Sequence, residues 1–252
     1  MRIIIAPAKK MVVDTDSFAV DSPPQFLEQT EQLKSVLQDM SSKDLQALWK
    51  CNDSIAKLNI ERLEQMNLYR NLTPAILSYE SIQYRYMAPS VMETAHLDYL
   101  REHLRILSGF YGLLRPFDGV TPYRLEMQAR LTVGGYRDLY QFWGDRLARQ
   151  LASETGVVLN LASREYSRAL EVYLPKTVRF VTCAFGEWKD GKVIEKGTKC
   201  KIARGQMVHW LAENQIKSLE DIRAFNQLGY RFQVNLSTKN RSVFLKRSEN
   251  SN

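Results

Sequence analysis

Two glycines three positions apart, Gly109 and Gly112, follow an apolar run and precede Arg115, Arg124 and Glu126 in the segment LSGFYGLLRPFDGVTPYRLEM (107–127). Glycines at such a bend permit a turn that side chains would block, and they leave backbone N–H groups free to meet an anion. The enclosed Phe110 and Tyr111 would share that loop. The arginines beyond it can hold an anion through paired hydrogen bonds. The alternative is a tight turn beside ordinary surface arginines. The density of Gly, Pro, Arg and Tyr favours the anion site, because packing alone does not require it. Glu126 adds a carboxylate for general acid–base work, and Asp145 is a second candidate, unless it only pairs with Arg146 or Arg149.

Three further segments offer anion-binding groups. Lys9 and Lys10 follow the apolar run Ile3-Ile4-Ile5, at the carboxyl end of an expected strand, where ligands collect in open α/β sheets. Asn160 and Ser163 lie between an apolar strand (157–161) and a helix expected from Arg164, and that turn forms a recurrent anion pocket. Ser163 is also a good N-cap, which alone would explain its place. Lys201 and Arg204 are expected near the start of a helix beginning at Arg204-Gly205. Cations there oppose the helix dipole unless an anion sits between them, or unless a carboxylate such as Glu195 pairs with them.

The elements that would position these groups alternate between strand and helix. Helical spacing predominates from Gln25 to Asn67, with Ser42 and Asp53 as N-caps. Thr73-Pro74 opens a short helix, and the aromatic run 79–86 reads as packing rather than a stacking surface. Ser90 and Glu93 fit a capping box for a helix through Leu97, Leu100 and Leu104. Residues 140–151 read as a helix. Residues 177–188 and 192–202 read as strands joined by Asp190-Gly191, a strong hairpin signal. Two more strands are expected at 230–234 and 242–246. The expectation is one α/β domain over 1–247, a compact mixed sheet with surrounding helices, followed by a disordered tail (248–252).

Composition sets the outer limits. The 252 residues, 44% hydrophobic and 25% charged, are those of a soluble globular chain with no membrane span. Three dispersed cysteines point to a reducing cytoplasm, with Cys183 and Cys200 as buried thiols. The three histidines are equally scattered, so no metal site and no cofactor is expected. The net charge of +7 is unevenly spread, residues 1–80 being slightly acidic and the remainder strongly basic. A basic face of this kind attracts nucleic acid, although plain solvation gives the same charge.

The segment 107–127 resembles the signature of the YaaA family of bacterial peroxide-stress proteins. APAK (6–9), LYQFWGD (139–145), NLASREY (160–166) and KIARGQM (201–207) resemble further motifs of that family, in its order. The resemblance implies cytoplasmic action under peroxide stress, binding of double-stranded DNA, and limitation of iron-dependent damage. It also implies a helix–hairpin–helix-like loop at Gly109–Gly112. Yet the usual hairpin separates its glycines by one residue, here by two, and Pro116 arrives early for a second helix. A strand from Arg105 to Ser108 with a ligand loop at its end is the other reading.

Two functions follow. The first is a largely sequence-independent DNA binder whose basic cleft is lined by Lys9, Lys10, Arg115, Arg124, Arg164, Lys201 and Arg204. The second is an enzyme acting on a nucleobase, nucleotide or modified DNA base in the same cleft, with Glu126 and Asp145 as acid–base groups. By analogy, larger proteins with a similar domain are associated with deazaguanine modification in DNA. A third and plainer reading makes it an interaction protein whose arginines only brace neighbouring carboxylates.

Overall fold

Successive residues of a strand face opposite sides of a sheet, so three adjacent buried isoleucines require cover on both. Ile3, Ile4 and Ile5 meet that condition in strand β1 (Arg2–Ile5) of the computed structural model, which describes residues 1–246. A short β2 (Lys10–Met11) follows, then the helices α1 (Leu27–Gln38), α2 (Ser42–Trp49) and α3 (Asp53–Glu64). The next segment holds β3 (Thr73–Pro74), α4 (Ala75–Ser78), β4 (Tyr79–Glu80) and α5 (Ile82–Met87). Helix α6 (Thr94–His103) leads into β5 (Leu104–Ser108), β6 (Gly112–Leu114) and β7 (Gly119–Val120). Beyond them lie α7 (Leu139–Trp143), α8 (Arg146–Glu154), β8 (Val157–Asn160) and α9 (Arg164–Glu171). The chain then forms β9 (Arg179–Lys189), β10 (Lys192–Ile194), α10 (Gly197–Glu213), β11 (Tyr230–Phe232) and β12 (Arg241–Lys246).

One mixed sheet organises these elements, in the order β11-β12-β9-β8-β1-β5-β6, with β10 paired to the far half of β9. Strands β1, β5, β8, β9 and β12 run parallel. Their register sets Ile4 opposite Asn160 and Asn160 opposite Thr182, so the carboxyl ends of β1 and β8 meet one edge. The fold is the expected single α/β domain. Among the described residues no helix is long and apolar enough to cross a membrane.

Several local expectations are corrected. The caps of α2 and α3 are Ser41 and Asn52, each one residue earlier than expected, accepting from the amides of Asp44 and Ile55. Ser90 lies in a single 3-10 turn, and α6 starts four residues later without a side-chain cap, so no capping box forms. Gly144, at φ 51 and ψ −133, breaks the expected helix over 140–151 into α7 and α8. The expected strand 192–202 ends at Ile194, and α10 already begins at Gly197. Lys201 and Arg204 therefore lie in its second and third turns, where the dipole argument does not apply. The expected tail at 248–252 falls outside the described residues.

Helices α5 and α10 cross closely because Gly205 has no side chain. A Cβ there would sit 2.1 Å from the carbonyl oxygen of Gln83. Next to Gln83, the Tyr84 hydroxyl donates to the Ala6 carbonyl at 3.1 Å, tying α5 to the loop after β1.

A charged cluster at the carboxyl edge of the sheet

The loop after β1 carries Lys9 to the carboxyl edge, where its Nζ lies 3.0 Å from Glu126 Oε1. Arg124 Nη2 approaches the same oxygen at 3.2 Å. Neither contact has hydrogen-bonding alignment, so the attraction is charge against charge. Lys9 is exposed, whereas the Arg124 and Glu126 side chains are only 9% and 11% exposed. Arg124 Nε has no partner at all, and Nη2 reaches the Trp49 carbonyl at 3.4 Å. A buried arginine so thinly satisfied depends on its one carboxylate.

Glu165, on the first turn of α9, completes the cluster. Its Oε1 accepts from the Gln128 amide at 3.4 Å. Burial holds its carboxyl above the usual range, the charge of Glu126 pushes the same way, and Lys9 opposes them. Beneath them runs a chain of hydroxyls, with Tyr123 OH 2.6 Å from Ser108 Oγ and 2.9 Å from Tyr79 OH. Burial pushes the Tyr123 phenol up to about 12, so it stays protonated and keeps its hydrogen to donate.

The glycine turn is a support for this cluster rather than a part of its surface. Residues 109–112 join β5 to the antiparallel β6, so no second helix follows, and the helix–hairpin–helix reading is corrected to a β-hairpin. All four residues are buried, with Phe110 and Tyr111 fully so. The amides of Phe110 and Tyr111 both donate to Ser108 Oγ, at 3.1 and 2.8 Å, and Gly112 pairs with Ser108 in the ladder. The amides of Phe110, Tyr111 and Gly112 are thus spent inside a buried turn and do not stand free for an anion. The glycines have other causes. Backbone 125–127 passes over Gly109, where a Cβ would sit 2.6 Å from the Leu125 oxygen. Gly112 takes φ +75 under Trp143.

The remaining candidates divide by place. Asn160 uses its Oδ1 to accept from the Ala162 amide at 2.9 Å and its Nδ2 to donate to Thr182 Oγ1 at 3.1 Å, which gives it a structural role in the strand-to-helix turn. Ser163 caps α9 by position but makes no side-chain cap bond. Arg164 next to it is exposed. Arg204 is half-buried near Cys183, the residue after Thr182, and its charge lowers that buried thiol against the larger effect of burial. Among the described residues neither Arg164, Lys201 nor Arg204 has a carboxylate within 4.0 Å, and Arg204 Nε is buried without a partner.

Three candidates leave the cluster. Lys10 pairs with Glu80 at 2.8 Å, on the short β2–β4 ribbon. Asp145 heads α8 and pairs with Arg149 at 3.0 Å, half-exposed and in no contact with Glu126. Arg115 lies past the return strand β6 and binds the buried Asp118 through its amide and Nε, at 2.9 and 3.0 Å. Because β6 runs antiparallel, it carries Arg115 back toward the amino end of β5. Glu165 could not be singled out from sequence, although it lies inside the NLASREY segment; an acidic residue in a helix's first turn reads as dipole compensation.

The chain matches the family described as peroxide stress protein YaaA over residues 1–236. It is 51% identical over 250 residues to a UPF0246 protein of Lachnoclostridium phytofermentans, covering 99% of this chain and 98% of that one. A UPF0246 protein of Pediococcus pentosaceus is 50% identical over 246 residues, with 98% of each chain covered. One from Desulfitobacterium hafniense is 51% identical over 246 residues, again with 98% of each covered.

Proposed function

The chain belongs to the family of peroxide stress protein YaaA, and from that premise we propose that it binds DNA with little regard for sequence and so limits iron-dependent oxidative damage. The observation that carries this reading is the set of cations without carboxylate partners among the described residues, Arg164 on α9 after β8, and Lys201 and Arg204 on α10 after the β9–β10 hairpin. A phosphate is the natural complement of such side chains. Cations that neutralise phosphates release the counterions bound there. Ferrous ions held on the backbone would leave with them, so peroxide would meet less iron beside the bases. The action expected is cytoplasmic.

Fluorescence anisotropy with labelled duplexes of unrelated sequence tests this. The expected Kd is on the order of micromolar, similar for every sequence, and weakens steeply with added salt. The paired substitution K201E/R164E should weaken binding by about tenfold. A wild-type protein that shows no salt-dependent duplex binding overturns the reading.

The pair Glu126 and Glu165 favours a second reading, an enzyme acting on a nucleobase or nucleotide. Two carboxylates in unlike surroundings at the carboxyl edge of a parallel sheet suit acid–base chemistry, with burial drawing Glu165 toward its protonated form and Glu126 facing two cations. Under this reading E165Q abolishes protection of cells against peroxide while DNA binding persists. If protection survives E165Q in a folded protein, Glu165 is not the acid.

A further inference from the structure

At the opposite edge of the sheet two adjoining hollows open where β9 and β12 begin, with volumes of 520 and 310 Å³. They share Arg179 and Lys239; Lys176 lines the first and Arg223 the second. None of these four belongs to the carboxyl-edge cluster. Among the described residues Lys176, Arg223 and Lys239 have no carboxylate within 4.0 Å, and Arg179 reaches only Glu220, at 3.9 Å. Arg179 Nε is out of water without an acceptor. Among the described residues Glu171 is the one carboxylate on the walls. Arg223 is held by stacking over the Phe232 ring at 5.4 Å rather than by an ion pair.

The walls between the cations are mixed. Leu174, Val178 and the exposed Val234 give apolar contact, while Thr177, Thr238 and Ser242 add hydroxyls. Cations spaced along a groove, with apolar and hydroxyl surface between them, match the alternation of phosphate and sugar along a polynucleotide. An isolated phosphate would need its donors converged on one point, and here they are spread over two hollows.

We propose that this amino-edge groove binds the phosphodiester backbone of a nucleic acid, with Lys176, Arg179 and Lys239 facing successive phosphates. The assignment rests on the DNA-binding reading and adds to it a binding surface separate from the carboxyl edge. Lys176 and Lys239 are exposed, so K176E/K239E preserves the fold, and the milder K176Q/K239Q serves as a second variant. Anisotropy with a labelled duplex, followed across salt concentrations, should show at least about tenfold weaker binding for K176E/K239E. The slope of log Kd against log salt should fall by about two, one for each phosphate that the removed lysines had neutralised. Binding and slope unchanged in both variants, with wild type still binding DNA, overturn the groove and leave the DNA-binding reading intact. No binding by wild type overturns both. Displacement of the duplex by a mononucleotide at equal phosphate concentration makes this a free-nucleotide site. Equal displacement by polyglutamate makes it a site for acidic peptide. Either result overturns the backbone assignment.

Discussion

The two edges of the sheet handle positive charge in opposite ways. At the carboxyl edge Arg124 is withdrawn from water and fixed on Glu126, with Lys9 completing the triad. At the amino edge Lys176 and Lys239 stand in solvent and Arg223 rests on an aromatic ring. A buried charge is tolerable only when matched, so the first arrangement fixes geometry; an exposed one is free to exchange water for a ligand. Position is therefore determined at one edge, and availability is kept at the other. Paired cations make poor phosphate ligands, since a phosphate would first have to displace their carboxylate. For that reason Lys9 and Arg124 suit chemistry better than backbone binding, which at this edge falls to the unpaired Arg164, Lys201 and Arg204.

The sharpest way to break this contrast is to remove the matching carboxylate. E126Q leaves Arg124 buried without a counter-charge and should cost about 3–5 kcal/mol in urea unfolding. K176E/K239E should stay within about 0.5 kcal/mol of wild type. Similar losses in both would show that the two edges do not differ. A second, smaller effect concerns how the matched edge is held. G109A places a methyl group against the backbone at Leu125 and Glu126, and should cost about 2 kcal/mol, as overpacking commonly does. A variant with unchanged stability would show that residues 125–127 do not rest on the turn. The smallest effect is a pH dependence. The Glu165 carboxyl is raised in the folded state, chiefly by burial and then by Glu126, so folding favours its protonated form. Its contribution is complete below pH 4.5, the unfolded value, and is lost as pH rises through the folded value. E165Q should therefore match wild type in acid and melt slightly higher near neutrality. Equal melting curves across that range would mean that Glu165 ionises without penalty.

Strong local patterns set most of the elements, although not their caps and breaks. The isoleucines of β1, the helical spacing of α1–α3, the strand β8 and the Asp190-Gly191 hairpin are all local signals. The glycine segment is different. Free amides and a tight backbone crossing both ask for glycine, and only the passage of residues 125–127 over Gly109 decides between them. That crossing depends on the tertiary fold. Residues 192–202 misled for a related reason. Val193, Ile194 and Ile202 suit a strand, but Cys200, Ala203 and Met207 are buried at helical spacing, and packing of α10 prevails over local preference. Lys9, Arg124 and Glu126 are legible in the sequence, whereas the amino-edge groove is not. Its cations are spread from residue 176 to residue 239, with no motif to mark them.

The glycine contact between α10 and α5 has a mechanical consequence. With Gly205 seated against the Gln83 carbonyl, neither helix can slide along the other without collision, so the two behave as one lever. Arg204, next to Gly205, and Tyr84, next to Gln83 and hooked to the Ala6 carbonyl three residues before Lys9, flank that contact from its two helices. The position of Arg204 relative to the strap bearing Lys9 is thereby set by one glycine contact and one hydrogen bond.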